Sequence, residues 1–379
     1  MRRITSAGPS ITQAEIDLVS EAIREGWHER MNLYIDQFVE EFSNFVGIDY
    51  CLPTAHGTDA IHLAILAFGI GPGDEVIVPD LTWVASAAPI LYVGATPVFV
   101  DVDPLSWCVT AESIERNISP KTKAVVVVDL LGNMPEWNEI RELCLQHNLR
   151  IIEDSAEGLG ATYAGNQAGT FGEVGLFSFN ATKLVMAGQG GALCTNNADL
   201  FEHAKLQSHH GIDESHSNRY YWSTVLGFNY NWTNLQAALA LAQLRRIEDL
   251  LAHKKWLFRE YVTSLKAVEG LSFNDSGPSV DPTYWITTVI VDERFEISKE
   301  DLCRRFADYQ IDMRPLFYPL SSMPPFERFV VGRAMAEENP VAYRLSEQGV
   351  CLPNGNNLDS EDVAYVCETF LEILEGANG

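Results

Sequence analysis

The feature that most constrains this chain is an alternation. Short runs apolar on both faces recur at EVIVP (75–79), TPVFVDVD (96–103), KAVVVVDL (123–130) and RIIEDS (150–155), and again at GLFSF (175–179) and GALCT (191–195). Each reads as a strand. A helix is predicted over TDAIHLAILAFG, after a turn at residues 55–57, and another over PEWNEIRELCLQHN (135–148). Strands without a polar face must be covered on both sides, which argues an α/β domain built on a largely parallel sheet. The stretch TNLQAALALAQLRRIEDLLAHKKWLFREYVTSL (233–265) reads as one long helix leaving that domain. After the loop SGPSVDP (276–282), a strand YWITTVIVD (284–292) and helices SKEDLCRRFADY (298–309) and SEDVAYVCETFLEILEG (360–376) suggest a smaller α/β domain. The expected division is 1–250 and 251–379, with the N-terminal segment free to pack on the smaller part. The 379 residues suffice for both.

Charge narrows the partners. With 52 acidic and 26 basic residues the net charge is -26, so nucleic acid and anionic membranes would be repelled at long range. An anionic small ligand would need a local basic pocket. Met1–Glu15 carries two arginines without an apolar segment behind them, and nowhere does an apolar run approach the length of a membrane span, so a cytoplasmic location is expected. The seven cysteines form no C-x-x-C pair and suggest neither a disulfide framework nor a zinc site. HHGIDESH (209–216) fits no metal-ligand spacing and reads as a polar loop, so no metal is expected.

Ligands of open α/β sheets sit beyond the carboxyl ends of the strands, and several polar residues fall there. Asp154 ends an apolar strand, where a carboxylate is either paired or caps a turn. In HGTDA (56–60), Gly57 and Thr58 open an apolar helix whose first N–H groups could take a phosphate, or Thr58 is an ordinary N-cap. Trp83, just past the strand ending at Pro79, is either core or a stacking platform. Ser178 offers a hydroxyl. Lys183, in FSFNATKLVMAGQGG (177–191), is a surface lysine or a reactive amine, and the glycines after it permit a sharp turn or close approach to a ligand. The dinucleotide pattern G-x-G-x-x-G fails at Leu193 and at Tyr163, and no P-loop occurs, which disfavours hydride transfer. A lysine able to form a Schiff base, an acid for a pyridinium nitrogen, an aromatic to stack, and hydroxyls with a helix start for a phosphate together describe pyridoxal 5'-phosphate (PLP).

At this point the chain resembles the DegT/DnrJ/EryC1/StrS family of sugar aminotransferases. The likeness runs from GPSITQAEIDLVSEAI through HGTDAIHLAIL, GDEVIVPDLTWVASA, IIEDSAEGLGATYAG, GTFGEVGLFSFNATK, GQGGALCTN, LGFNYNWTNLQAALALAQL and RPLFYPL to LPNG. It implies the aspartate aminotransferase-like PLP fold type I, with a large domain and a smaller C-terminal α/β domain. Lys183 would carry PLP as a Schiff base, and Asp154 would pair with the ring nitrogen. Trp83 would stack on the ring, while Gly57, Thr58 and Ser178 would hold the phosphate. Glu157 would lie near the phenolic oxygen. Asn229 would reach the phosphate of a neighbouring subunit, which implies a homodimer with its active site at the interface.

The implied reaction moves the amino group of L-glutamate to a nucleotide-linked ketosugar, Lys183 carrying the proton as base and then acid. A lysine here, where some relatives have histidine, implies amine transfer. RYYWSTVLGFNYNWTN and RPLFYPL resemble perosamine synthases and other C4 aminases of 4-keto-6-deoxyhexoses. Arg314, Tyr318 and Arg30 are the candidate substrate contacts. Three departures bear on the sugar and the nucleotide: Asn231 and Trp232 replace an arginine-bearing motif, Ser321 and Ser322 stand where a histidine is usual, and WHERMNLYID lacks a glycine-rich turn. Amination at C3 and a PLP-binding regulator without turnover are the alternatives.

Overall fold

The computed structural model describes residues 3–213 and 220–377. Seven strands form the large sheet: β1 (Tyr50–Thr54), β2 (Glu75–Pro79), β3 (Thr96–Val100), β4 (Thr122–Val128), β5 (Arg150–Asp154), β6 (Val174–Ser178) and β7 (Gly191–Thr195), in the order β1-β7-β6-β5-β4-β2-β3. β7 pairs antiparallel with both of its neighbours, and the other pairings are parallel. The valine run of β4 shows why the strand must be central. Val126 and Val128 join the core on one face with Ile61 and Leu63, while Val125 and Val127 join Trp137 and Ile140 on the other. Side chains alternate across a strand, so both faces of β4 are covered.

Helices α1 (Gln13–Glu25), α2 (Leu33–Val46), α3 (Gly57–Ala67), α4 (Asn234–Leu244) and α5 (Ile247–Leu265) flank the sheet. α1 begins with a capping box between Thr12 and Glu15, and α2 stops where Gly47 turns left-handed at φ 81°. The single helix predicted over 233–265 is in fact α4 and α5, broken at Arg245 and Arg246. Arg246 leaves helical geometry (φ -115°, ψ 17°), and the two guanidinium groups are drawn to different partners, Arg245 to Glu41 on α2 and Arg246 to Glu15 on α1. The bend lets Leu250 and Leu251 pack with α2 and α4, while Leu257, Tyr261 and Leu265 enter a separate core. Residue 250 therefore lies inside α5, a helix shared by two cores.

That second core covers a four-stranded sheet in the order Leu271–Phe273, Thr288–Val291, Gly349–Cys351, Arg314–Pro315, all antiparallel. The strand predicted over 284–292 is shorter, because Tyr284 turns left-handed at φ 52°. The loop expected over 276–282 contains a short strand, Val280–Asp281, paired with Thr162–Tyr163. The N-terminus joins the small sheet's surroundings: Ile4 bridges Ile311, and the Asn354 N–H donates to the Ser6 carbonyl at 3.0 Å. Among the described residues no helix is long and apolar enough to cross a membrane.

Candidate active site

The carboxyl ends of β2, β4, β5 and β6 open on one cavity of ≈ 840 Å³, walled further by residues 314–318 and by Trp285. Each strand delivers a piece. The turn after β2 presents Trp83, 58% exposed, and Ser86 behind it. β5 ends on Asp154, 4% exposed, and the following turn carries Glu157, 6% exposed. β6 ends on Ser178, whence the chain enters the Lys183 loop.

That loop is stitched by its own backbone. The Phe179 N–H donates to Gly190, the Ala181 N–H to Gly188 and the Ala187 N–H back to Phe179, at 2.9, 3.0 and 2.8 Å. Gly190 has φ +152° and faces Trp232, whose ring lies 2.9 Å from where a Cβ would stand. Trp232, one of the sequence's departures, thus closes the glycine turn, and its indole N–H donates to the Gln189 carbonyl at 3.3 Å.

The Lys183 side chain is only 13% exposed, and its Nζ lies 3.5 Å from Glu157 Oε1 and 3.6 Å from the centroid of Trp285. Burial pushes the lysine below its ordinary pKa, opposed by the charges of Glu157 and Asp154. The bland reading of an exposed lysine does not describe it. Asp154 is pushed up by burial, opposed by a hydrogen bond from Ser86 Oγ at 2.7 Å, by the Ala156 N–H at 3.2 Å and by Lys183. Glu157 is also pushed up by burial, opposed by Lys183 and by the Leu131 N–H at 2.8 Å.

A candidate anion site adjoins these groups. The N-cap of α3 is His56, not Thr58, and its side chain makes no capping bond, so the helix's first N–H groups are not taken by a cap. Ser178 sits against this start: a Cβ on Gly57 would be 3.2 Å from the Ser178 Cβ, and one on Gly191 would be 2.5 Å from the Gly57 nitrogen. Glycine at both positions keeps β6, β7 and the helix start in contact, leaving a cradle that a side chain would fill. A phosphate-bearing aromatic aldehyde fits these residues: the cradle suits its phosphate, the Lys183 amine its carbonyl and the Asp154 carboxylate its ring nitrogen.

The cavity brings together Gly57, Thr58, Trp83, Asp154, Glu157, Ser178 and Lys183, with Arg314 and Tyr318 at its rim. Arg314 pairs with Asp312 at 3.0 Å, and the Tyr318 hydroxyl donates to Glu300 at 2.8 Å. Arg30 and Asn229 lie outside this cavity: Arg30 pairs with Glu25 and Glu21, and Asn229 is exposed. Ser321 is buried, its hydroxyl donating to Asp80 at 2.6 Å. HHGIDESH extends beyond the described residues, and among those described no group of side chains is set to hold a metal.

Sequence reading missed Ser86, Thr82 and Trp285. The two hydroxyls stand in the otherwise apolar TWVASA, a legible hint, whereas nothing in YWITTVIVD marks its tryptophan as anything but a strand residue.

A family model described as the DegT/DnrJ/EryC1/StrS aminotransferase family matches residues 9–371. GDP-perosamine synthase of Escherichia coli O157:H7 is 36% identical over 374 residues, 98% of this chain and 99% of that protein. GDP-perosamine synthase of Caulobacter vibrioides is 35% identical over 376 residues, 98% of each. Among solved structures, a putative sugar aminotransferase from Streptococcus pneumoniae in its PMP form matches with a TM-score of 0.91 at 26% identity, over 99% of this chain and 98% of that one, and its PLP form with 0.90.

Proposed function

The chain belongs to the DegT/DnrJ/EryC1/StrS aminotransferase family and is a PLP-dependent sugar aminotransferase of fold type I; from that premise we propose that it moves the amino group of L-glutamate to C4 of a nucleotide-linked 4-keto-6-deoxyhexose. The observation that carries this reading is the buried Lys183 amine, 3.5 Å from Glu157 in a cavity that also holds Asp154. Kinship with the two perosamine synthases favours C4 over C3 and makes a GDP-linked sugar the first substrate to assay.

When bound, PLP supplies an electrophilic carbonyl and an electron sink for the substrate's α-carbon. The chain supplies the rest. Lys183 Nζ, with its pKa lowered by burial, takes a proton from the glutamate α-carbon and returns it from the same position. Asp154, fixed by Ser86 and the Ala156 N–H, holds a proton at the ring nitrogen. The start of α3 and Ser178 would hold the phosphate, and Trp83 would hold the ring. Leu176, Leu316, Met323 and Trp285 line the cavity and exclude water from the transfer. Arg314 meets the anionic part of the sugar nucleotide, which a chain of net charge -26 must collect locally.

The protein acts as a cytoplasmic homodimer in this reading. Tyr220, Tyr221 and Leu226 are 92%, 91% and 85% exposed, and Asn229 beside them would reach the phosphate of a second copy. Incubation with glutamate and 4-keto or 3-keto sugar nucleotides, following 2-oxoglutarate, tests the reaction. The 4-keto sugar should be consumed and Lys183→Ala should abolish turnover; a fully active Lys183→Ala protein would sink the assignment.

A further inference from the structure

The loop that carries Trp285 is held with unusual firmness. The Thr283 N–H donates to the Gly132 carbonyl at 2.9 Å, and the Thr283 hydroxyl to the Glu157 carbonyl at 3.3 Å. A Cβ on Gly132 would stand 2.1 Å from that hydroxyl oxygen and 2.9 Å from the Trp285 nitrogen, so the loop lies on a glycine that nothing larger can replace. Next, Tyr284 adopts φ 52° and stacks on Phe258 at 3.6 Å, against α5. A left-handed tyrosine is a strained conformation that persists only where its surroundings over-determine it. Its effect is to turn Trp285 out of the strand that follows and into the cavity.

There Trp285 makes two contacts with one short segment. Its ring centroid is 3.6 Å from Lys183 Nζ, and its indole N–H donates to the Thr182 carbonyl at 2.8 Å. The titratable groups facing the lysine amine are Glu157 and Asp154, with Arg314 on the rim of the same cavity. Lysine is a flexible four-carbon stem, and a ring face attracts its charged end at this distance.

We propose that Trp285 is a positioning residue for Lys183, its ring face holding the amine beside Glu157 while its N–H ties the ring to the backbone of the lysine loop. The proposal rests on the reading of Lys183 as the lysine that binds PLP. It makes the strained loop at 283–285, from the chain's C-terminal third, a part of the lysine's setting.

The test uses apo-protein mixed with PLP at a series of pH values. Covalent capture is followed by absorbance, and the site is confirmed by borohydride trapping and peptide mapping. Capture requires the neutral amine, and the ring favours the charged one, so Trp285→Leu should lower the midpoint of the pH–rate curve by about half a pH unit. Trp285→Phe keeps a ring and loses the N–H, and should slow capture about threefold at the plateau. In steady state, Trp285→Leu should lower kcat about tenfold, with KM for glutamate held within about twofold, because the lost contact orients the lysine and not the substrate. A folded Trp285→Leu protein with an unmoved or raised midpoint overturns the proposal, and so does Trp285→Phe with an unchanged rate. Failure of the wild-type protein to capture PLP at Lys183 would instead overturn the underlying assignment.

Discussion

Ser86 donates its hydroxyl proton to Oδ2 of Asp154 at 2.7 Å, and Thr82 stands 3.0 Å behind it. Both hydroxyl residues are buried, and this bond favours the ionised carboxylate. Ser86→Ala should therefore raise the Asp154 pKa further above its ordinary value. The acid limb of kcat/KM is expected to move up by about one pH unit, about 1.4 kcal/mol. A pH–rate profile against wild type checks this, and an unmoved limb would show that Ser86 only fills space.

Glu157 acts on Lys183 in the opposite sense to burial. Glu157→Gln removes the larger of the two charges that raise the lysine's pKa, while the Leu131 N–H still has an oxygen to bond. The lysine pKa should then fall. The pH at which apo-protein captures PLP at half its maximal rate should drop by about one unit, since a neighbouring opposite charge is commonly worth that much.

At the anion cradle the decisive contact is steric. Gly57→Val would push side-chain atoms at Ser178 and at the Phe177 carbonyl, 3.2 and 3.3 Å from the first carbon added. PLP affinity should weaken at least about tenfold, about 1.4 kcal/mol, as read by equilibrium dialysis or fluorescence titration. The lysine and its pH dependence should be left intact.

Far from the cavity, Glu15 is a measure of how α1 is fastened. Burial raises its pKa, but the Thr12 hydroxyl and N–H and the Arg246 guanidinium outweigh this and bring it down to about 2. A carboxyl depressed in the folded state stabilises the fold above its ordinary value near 4.5, and the contribution fades as pH falls towards 2. Arg246→Ala should cost about 3 kcal/mol at neutral pH. Urea unfolding should show that cost shrinking below pH 4, where protonation of Glu15 removes the unpaired charge.

Much of the large sheet was legible because both of its faces are buried: uninterrupted apolar runs such as KAVVVVD admit little else, and GALCT coincides with β7. That Thr58, Asp154, Ser178 and Lys183 lie at one cavity was legible as a conjunction at the ends of those strands. What escaped was set by contacts distant in sequence. No local pattern marks the break at Arg245 and Arg246, because it depends on Glu41 and Glu15. Trp285 sits in a run with strand character, and the pinning of Thr283 to Gly132 together with the left-handed turn at Tyr284 directs it inward. Ser321 stood out as a departure from a family motif, yet its role, bonding Asp80, needs the end of β2 brought alongside.

The pairing of the N-terminus with the small sheet has a consequence for how the chain is made. Ile4 and Ser6 leave the ribosome about 300 residues or more before their partners at Ile311 and Asn354. At synthesis rates of about 5–20 residues per second, the leading segment waits roughly 15 to 70 s for them. Ser6 and Ala7 also line the cavity. This part of the cavity wall therefore closes only after residues 311–354 have been made, and a nascent chain that stops before residue 311 lacks the partners needed to finish it.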